Sequence, residues 1–354
     1  MANSSSSTLM HICISLIYLV LFLYHVESLN VRRFTSRSLV EDLQSHGEER
    51  LAIIILANNH EKDLVDLCQA LRSLSHLPSI QKYNTTILIF NEGNFVSSTA
   101  SKLSTCTSQP LSFPIVNLST YPMGFEPYKE WEQFTKWTLF RPLSSRGEWS
   151  YGQMIRFWTV GIFIHPALRD YDIIMRIDTD SCFQPQEGPA KNEGYVSLPA
   201  LPSKNIVYQS NYEGYTGSAL FVRTLYDYAL KYMDEHNIQP KNPELWTTIS
   251  DLRNKHNKLP VFQTNFEVVR MGFFLQPEVQ HWLKSLSETE PYGVFRFRWG
   301  DAQTRVFTVA MFATKDQIFL SRGAGYAHGR GRCNFGETPD FSDNNSTHVI
   351  VGSS

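Results

Sequence analysis

Asp178 and Asp180 stand one residue apart in Arg176-Ile177-Asp178-Thr179-Asp180, directly after the apolar run Ile173-Ile174-Met175. Two carboxylates at this spacing can meet one hard divalent cation, which prefers oxygen ligands. If the run is a strand of an open α/β sheet, both acids lie at its carboxyl end, where such sheets bind their ligands. They point the same way only if the chain is still extended there. The same spacing recurs in Asp170-Tyr171-Asp172, at the entry of the same strand, where polar residues simply end a turn. A solvated turn is therefore the competing reading of Asp178 and Asp180.

Three further stretches carry residues fit for chemistry. In Gly323-Ala324-Gly325-Tyr326-Ala327-His328-Gly329-Arg330-Gly331-Arg332 the glycines permit tight turns whose N–H groups can cradle phosphate. His328 there is either an imidazole ligand for a metal or an incidental loop residue. The spacing and the lack of a following helix pattern do not fit a dinucleotide fingerprint. Glu267 lies between Phe266 and Val268-Val269; a buried carboxylate is either ion-paired, with Arg270 or Arg298 as partner, or functional. Asp301, in Phe297-Arg298-Trp299-Gly300-Asp301, opens a helical pattern and reads as an N-cap, or as a cap that also offers an oxygen to a ligand. Aromatic residues make up 13% of the chain, with Trp299, Tyr208, Tyr212 and Tyr215 among them. Their faces suit sugar rings or the core. Zinc-type Cys/His spacing, G-x-S-x-G and the P-loop pattern are absent from the sequence, which argues against zinc enzymes, lipase-type hydrolases and ATPases. A cation held by Asp178 or Asp180 and shared with a diphosphate would make the chain a nucleotide-sugar transferase.

The elements that must position these residues follow from periodicity. Leu51 to Leu56 is a continuous apolar run of buried-strand type. Leu64, Leu67, Cys68, Leu71 and Leu74 share one helical face, and Thr86 to Phe90 is a second buried strand. This βαβ unit predicts a parallel sheet covered by helices. A helix over Tyr151–Ile164 is stopped by His165-Pro166, and a strand over Tyr171–Ile177 delivers the acids. Helices are predicted over Thr224–Met233, Pro277–Leu286 and Asp301–Phe312, with a last strand over Gln317–Leu320.

The 354 residues, 42% of them hydrophobic, suffice for one large core, and a net charge of -2 without a long basic run argues against nucleic acid as a partner. Leu9 to Val26 is a nearly unbroken apolar run, at the lower limit for spanning a bilayer and long for a signal-peptide core. The expected organisation is a signal or signal-anchor segment over 1–29, a short stem over 30–48, one catalytic domain over 49–337 and a loose tail over 338–354. Asn84, Asn117 and Asn345 head glycosylation triplets. Cys68, Cys106, Cys182 and Cys333 follow the apolar run; with a secretory segment ahead of them they read as disulfides, otherwise as core thiols. Cys68–Cys106 and Cys182–Cys333 are the expected pairs, each within one half of the domain or near the site.

Taken in order, these segments resemble glycosyltransferase family 15, the fungal GDP-mannose-dependent α-1,2-mannosyltransferases. The resemblance runs from about Ala52 to His328. It is strongest in Tyr151–Phe183, in Asn265-Phe266-Glu267, in Arg298-Trp299-Gly300-Asp301-Ala302 and in Gly325-Tyr326-x-His328. It implies an α/β fold of GT-A type, with a mixed, mostly parallel sheet flanked by helices. It implies manganese, a GDP-mannose donor and transfer to a sugar hydroxyl of a glycan or glycoprotein with retained configuration. Asp178 and His328 correspond to metal ligands, and Glu267 and Asp301 to catalytic acids. Tyr151, Arg156, Asp180, Arg298 and Tyr326 lie in the matching donor-site segments. The implied setting is the Golgi lumen, as a type II membrane protein held by the N-terminal segment, or secretion if that segment is cleaved. Two departures stand out: the family's first acid is usually Glu followed by Pro, where this chain has Asp178-Thr179, and Asn58 stands where the family tends to carry an Arg. The alternatives are transfer from another nucleotide sugar, a glycoside hydrolase using Glu267 and Asp301, and an inactive carbohydrate-binding protein.

Overall fold

The computed structural model describes residues 49–75, 77, 80, 85–127, 146–183, 205–216, 219–321, 326–329 and 332–342. The expected anchor, the stem, Asn84, Asn345 and half of the Gly323–Arg332 loop lie outside them. Among the described residues no helix is long and apolar enough to cross a membrane.

The first strand, β1 (Leu51–Leu56), is Leu-Ala-Ile-Ile-Ile-Leu. Such a run forms only where both sheet faces are covered. Alternation sends Ala52 and Ile54 into one core cluster and Ile53 and Ile55 into the other. Helix α1 (Glu61–Leu74) carries Glu61 and Asp63 in its first turn and Arg72 in its last, charges that complement its dipole. β2 (Thr86–Phe90), α2 (Ser97–Ser104) and the short β3 (Leu111–Ser112) follow. Helix α3 (Arg146–Arg156) continues through a π-helical turn at Phe157–Gly161 to Ile164. His165 ends it in extended conformation, as the residue before a proline must.

β4 (Ile173–Ile177) then leads to β5 (Ser181–Phe183), β6 (Tyr208–Thr216), α4 (Ala219–Glu235), α5 (Pro243–His256) and β7 (Leu259–Arg270). α6 (Pro277–Ser287), α7 (Asp301–Phe312), β8 (Ile318–Ser321) and β9 (Tyr326–His328) follow, with four-residue helical turns at Met271–Phe274 and Gly293–Arg296 between β7 and α7. The main sheet has the order β3-β2-β1-β4-β7-β6-β8. Only β7 opposes its neighbours, β4 and β6; the other pairings are parallel. The sheet is mixed and mostly parallel, as expected. One face packs against α3 to α7 and the other against α1 and α2, a three-layer α/β arrangement.

β6 and β7, which periodicity did not assign, stand between β4 and β8 in the sheet. α5 was also illegible: Ile249 is its only buried residue, so its apolar stripe is too thin to mark a period. It is instead fixed at its ends, with Asn242 Oδ1 accepting from Leu245 N at 3.1 Å and Asn257 closing it in the left-handed region. Both expected disulfides are present, Cys68–Cys106 and Cys182–Cys333. Within the segment expected as a loose tail, Phe341 is 1% exposed. It packs into the core beneath the Lys102 ammonium, so the packed domain reaches past residue 337.

Candidate active site

The site begins at the carboxyl end of β4. Antiparallel pairing sets Arg176 opposite Glu267 on β7, so an arginine and a carboxylate face each other across two central strands. α7 brings Asp301 and Arg305 against the same point. Arg176 donates from Nη1 to Asp301 Oδ2, lies 3.9 Å from Glu267 Oε1 and reaches Asp178 Oδ1 at 3.2 Å. Its guanidinium stacks 3.9 Å over the Trp158 ring. Arg305 clamps Glu267 with two bonds, Nε to Oε2 at 2.9 Å and Nη2 to Oε1 at 3.1 Å. Arg305 also donates to Trp158 O at 2.8 Å and lies beside the stacked rings of Phe163 and Phe274, 4.9 and 5.0 Å from their centres. Two guanidinium cations thus stand against Glu267 and Asp301 in a nearly dry setting, where charges survive only if paired, with Asp178, 33% exposed, at its edge.

Electrostatics separate the acids. Burial pushes Asp301 up, but Arg176 and then Arg305 outweigh it and hold the carboxyl below its ordinary range. For Asp178 burial wins over Arg176, and the carboxyl is raised. The Arg176 guanidinium stays protonated far above any accessible pH, because Asp178, Asp301 and Glu267 together outweigh its burial.

Beyond β4 the chain turns. Ser181 N donates to Asp178 O at 3.1 Å, so the two acids do not continue an extended strand. Asp178 bends back to Arg176. Asp180 faces His328, with Oδ1 3.2 Å from Nε2, and both side chains are partly exposed. His328 arrives because β5 and β9 form a small antiparallel sheet with Ser181 opposite His328. Gly329 N donates to Asp180 O at 3.0 Å, and Cys182–Cys333 closes the same pair of segments. Tyr326 ties this sheet to β7: its hydroxyl donates to Asn265 O at 2.8 Å and lies 2.8 Å from Ser181 Oγ. Burial pushes that phenol far up.

Among the described residues no group of three or more His, Cys, Asp or Glu side chains converges as a metal site. Asp180 and His328 make a two-donor set at the rim, with Asp178 within electrostatic reach of the same histidine. An oxygen- and nitrogen-binding cation fits such a set if diphosphate and water fill its remaining positions.

The other expected residues divide. Arg298, in the left-handed region at φ 56°, lays its guanidinium 4.8 Å over the Tyr151 ring. Burial and the charge of Asp301 raise the Tyr151 phenol, which places this pair beside the acid cluster. Arg156 does not join it. Its Nε and Nη2 bind Glu288 at 2.7 Å each, and its Nη1 donates to Thr120 O; the structure engages it in this ion pair instead. Glu267 pairs with Arg305, not with Arg270, which holds Glu49, nor with Arg298. Asp301 is not an N-cap; Gly300 holds that position. Trp299 and Tyr208 are core residues, 1% and 0% exposed. Asn58 Oδ1 accepts from His60 N at 2.9 Å, shaping the entry to α1.

Sequence reasoning missed Arg176 and Arg305 as the hubs. Both left a signal: a charge inside an apolar strand, and an arginine one turn after Asp301, followed by the mostly apolar Val306–Phe312.

A mixed α/β sheet with acids and a histidine gathered at the carboxyl end of a parallel strand defines a glycosyltransferase of GT-A type. The chain matches the family model for glycolipid 2-alpha-mannosyltransferases over residues 25–338 and belongs to that family. It is 24% identical over 313 residues to O-glycoside alpha-1,2-mannosyltransferase homolog 2 of Schizosaccharomyces pombe, covering 85% of this chain and 80% of the relative. It is 24% identical over 289 residues to glycolipid 2-alpha-mannosyltransferase 2 of Candida albicans, covering 79% of this chain and 58% of the relative. Among solved structures, core-mannan synthase A of Aspergillus fumigatus in its Mn/GDP form superposes with a TM-score of 0.67 at 21% identity, covering 83% of this chain and 82% of that one. The Saccharomyces cerevisiae mannosyltransferase Ktr4p in complex with GDP gives 0.66 at 19%, covering 83% and 77%. At these identities the structural likeness establishes the fold.

Proposed function

We propose that the chain transfers a mannosyl group from GDP-mannose to a sugar hydroxyl of a glycan or glycoprotein, forming an α-1,2 linkage with retained configuration. The observation that carries this reading is the meeting of Asp180 and His328, from segments far apart in sequence, next to Asp178, which Arg176 joins to Glu267 and Asp301. Asp180 and His328, with Asp178 beside them, would hold manganese. When bound, the ion supplies positive charge for the leaving diphosphate.

The chain's own residues supply the rest. Arg298 and Tyr151 line the approach to the cluster. Arg176 orients Asp178 and Asp301 and fixes their charges. Glu267 is a fixed negative charge able to stabilise an oxocarbenium-like sugar. Both of its oxygens are taken by Arg305, and its side chain is only 4% exposed. This favours attack by the acceptor from the leaving-group face over a covalent adduct, because a clamped, buried carboxylate is a poor nucleophile. A hydrolase pair fits less well. It needs one acid kept protonated, and Asp301 is held below the ordinary carboxylate range.

The same reading sets the enzyme in the secretory pathway, tethered in the Golgi through Leu9–Val26 or released if that segment is cleaved. Two disulfides support an oxidising compartment. The test is turnover of a panel of nucleotide sugars with α-mannoside acceptors, with the product linkage read by NMR. GDP-mannose alone yielding an α-1,2 product supports the proposal; turnover of a different donor replaces it.

A further inference from the structure

We propose that a second cavity, between α4 and the loop preceding α7, is a subsite for the non-reacting sugars of an acceptor glycan. Its volume is about 420 Å³, within the range of small-molecule sites. Asp227, Tyr228 and Lys231 line it from one face of α4, and Glu290, Phe297 and Trp299 face them from the loop. The spacing of the α4 residues follows the helical period, so they form one wall.

The lining is of the kind that binds sugars. Aromatic rings offer flat faces to the C–H side of a pyranose, and carboxylates and an ammonium accept from and donate to hydroxyls. The half-buried rings of Tyr228 and Phe297 are the ones a sugar can reach, and the buried Trp299 braces them from behind: it donates from Nε1 to Thr224 Oγ1 at 3.0 Å, and its ring packs at 5.0 Å from Tyr228 and 5.7 Å from Phe297. Gly293 is required beneath it, since a Cβ there would come within 2.0 Å of the Trp299 ring. Asp227 is exposed and makes no ion pair among the described residues. Glu290 is braced by Arg296 at 3.2 Å.

Its place in the chain joins it to the reaction centre. Within Phe297-Arg298-Trp299-Gly300-Asp301, Phe297 and Trp299 line the cavity while Arg298 turns to Tyr151 and Asp301 to Arg176. One five-residue segment thus serves both places, Phe297 at the cavity with Trp299 behind it, Arg298 on Tyr151 and Asp301 on Arg176. That the sugars belong to an acceptor rests on the mannosyltransferase reading; that the cavity takes sugars does not.

The experiment is calorimetry on the full-length protein with methyl α-mannoside and with an α-linked mannotriose, without nucleotide. The expected result is tighter binding of the trisaccharide, weakened roughly fivefold to tenfold by Phe297→Ala and by Asp227→Asn, the loss of one ring contact or one hydroxyl partner. Asp227 lies on the surface of α4, so its variant folds even if Phe297→Ala does not. In turnover, the loss of kcat/KM in these variants should be about tenfold greater for mannotriose than for methyl α-mannoside. Trisaccharide binding absent from the wild type, or undiminished in Asp227→Asn, overturns the subsite. Trisaccharide binding that is sensitive to Asp227→Asn, with no nucleotide sugar turned over, upholds the cavity and overturns the transferase reading instead.

Discussion

Arg176 of the buried cluster and Asp180 of the rim pair with His328 are four residues apart in sequence, one within β4 and one beyond its end, yet cluster and pair are built by different means. The cluster is assembled by the largest elements of the fold. β4 and β7 fix Arg176 against Glu267, α7 adds Asp301 and Arg305, and the rings of Trp158, Phe163 and Phe274 enclose the guanidinium groups. The rim pair hangs on two strands of three residues, one disulfide and the Tyr326 hydroxyl. On the proposed reading this is a division of labour: charges that must not move are sunk into the sheet, and the groups proposed to exchange a ligand are left partly exposed at an edge.

If the division is real, disturbing the cluster must cost stability and disturbing the rim must cost ligand response. The largest effect belongs to Arg305→Met. It leaves Glu267 buried without its partner, at about 3–5 kcal/mol, read from urea unfolding midpoints. Removing the rim disulfide with Cys182→Ser and Cys333→Ser together is expected to cost about 2–4 kcal/mol, because Cys182 and Cys333 are 151 residues apart in sequence. It should also weaken manganese binding by the protein that remains folded. A loss of stability with unaltered metal affinity would show that the disulfide serves the domain and not the rim.

Asp301 gives a smaller effect with a pH signature. Its folded carboxyl titrates below the ordinary value of 3.8. The unfolded chain therefore binds more protons in that range, and stability falls as pH drops through the folded value. Asp301→Asn removes this contribution, about 1.5–3 kcal/mol near neutrality. Its deficit against the wild type should shrink below pH 3.8. A deficit independent of pH would mean that the charge of Asp301 is not what Arg176 holds. The smallest stability effect belongs to His328→Ala, about 0–1 kcal/mol for a partly exposed pair, combined with loss of any manganese response. A large loss of stability there would erase the contrast between rim and cluster.

The sequence disclosed what periodicity encodes. The continuous runs of β1 and β2 and the face of α1 stood in plain view because both sheet faces are covered and one helix face is apolar. The Arg-x-Asp-x-Asp run and His328 were legible as chemistry, but not how they meet. That depends on a turn at Asp178 and on pairing between β5 and β9, which share no local pattern. Glu267 was legible as a buried carboxylate, and its partner was not, because Arg305 is distant in sequence and close only through the packing of α7 on β7. Arg156 lies in a matching segment, and nothing in the sequence signals that its position on α3 turns it to Glu288.

The central claim is that Asp180 and His328 hold a cation for a guanosine diphosphate donor. Thermal denaturation with GDP, with and without manganese, tests it most directly in the wild type, Asp180→Asn and His328→Ala. The account predicts that GDP with manganese stabilises the wild type more than either alone, and that both variants lose this extra stabilisation while keeping their metal-free melting temperatures within a few degrees. Equal stabilisation by GDP in chelator, or a manganese effect untouched by both substitutions, would contradict it.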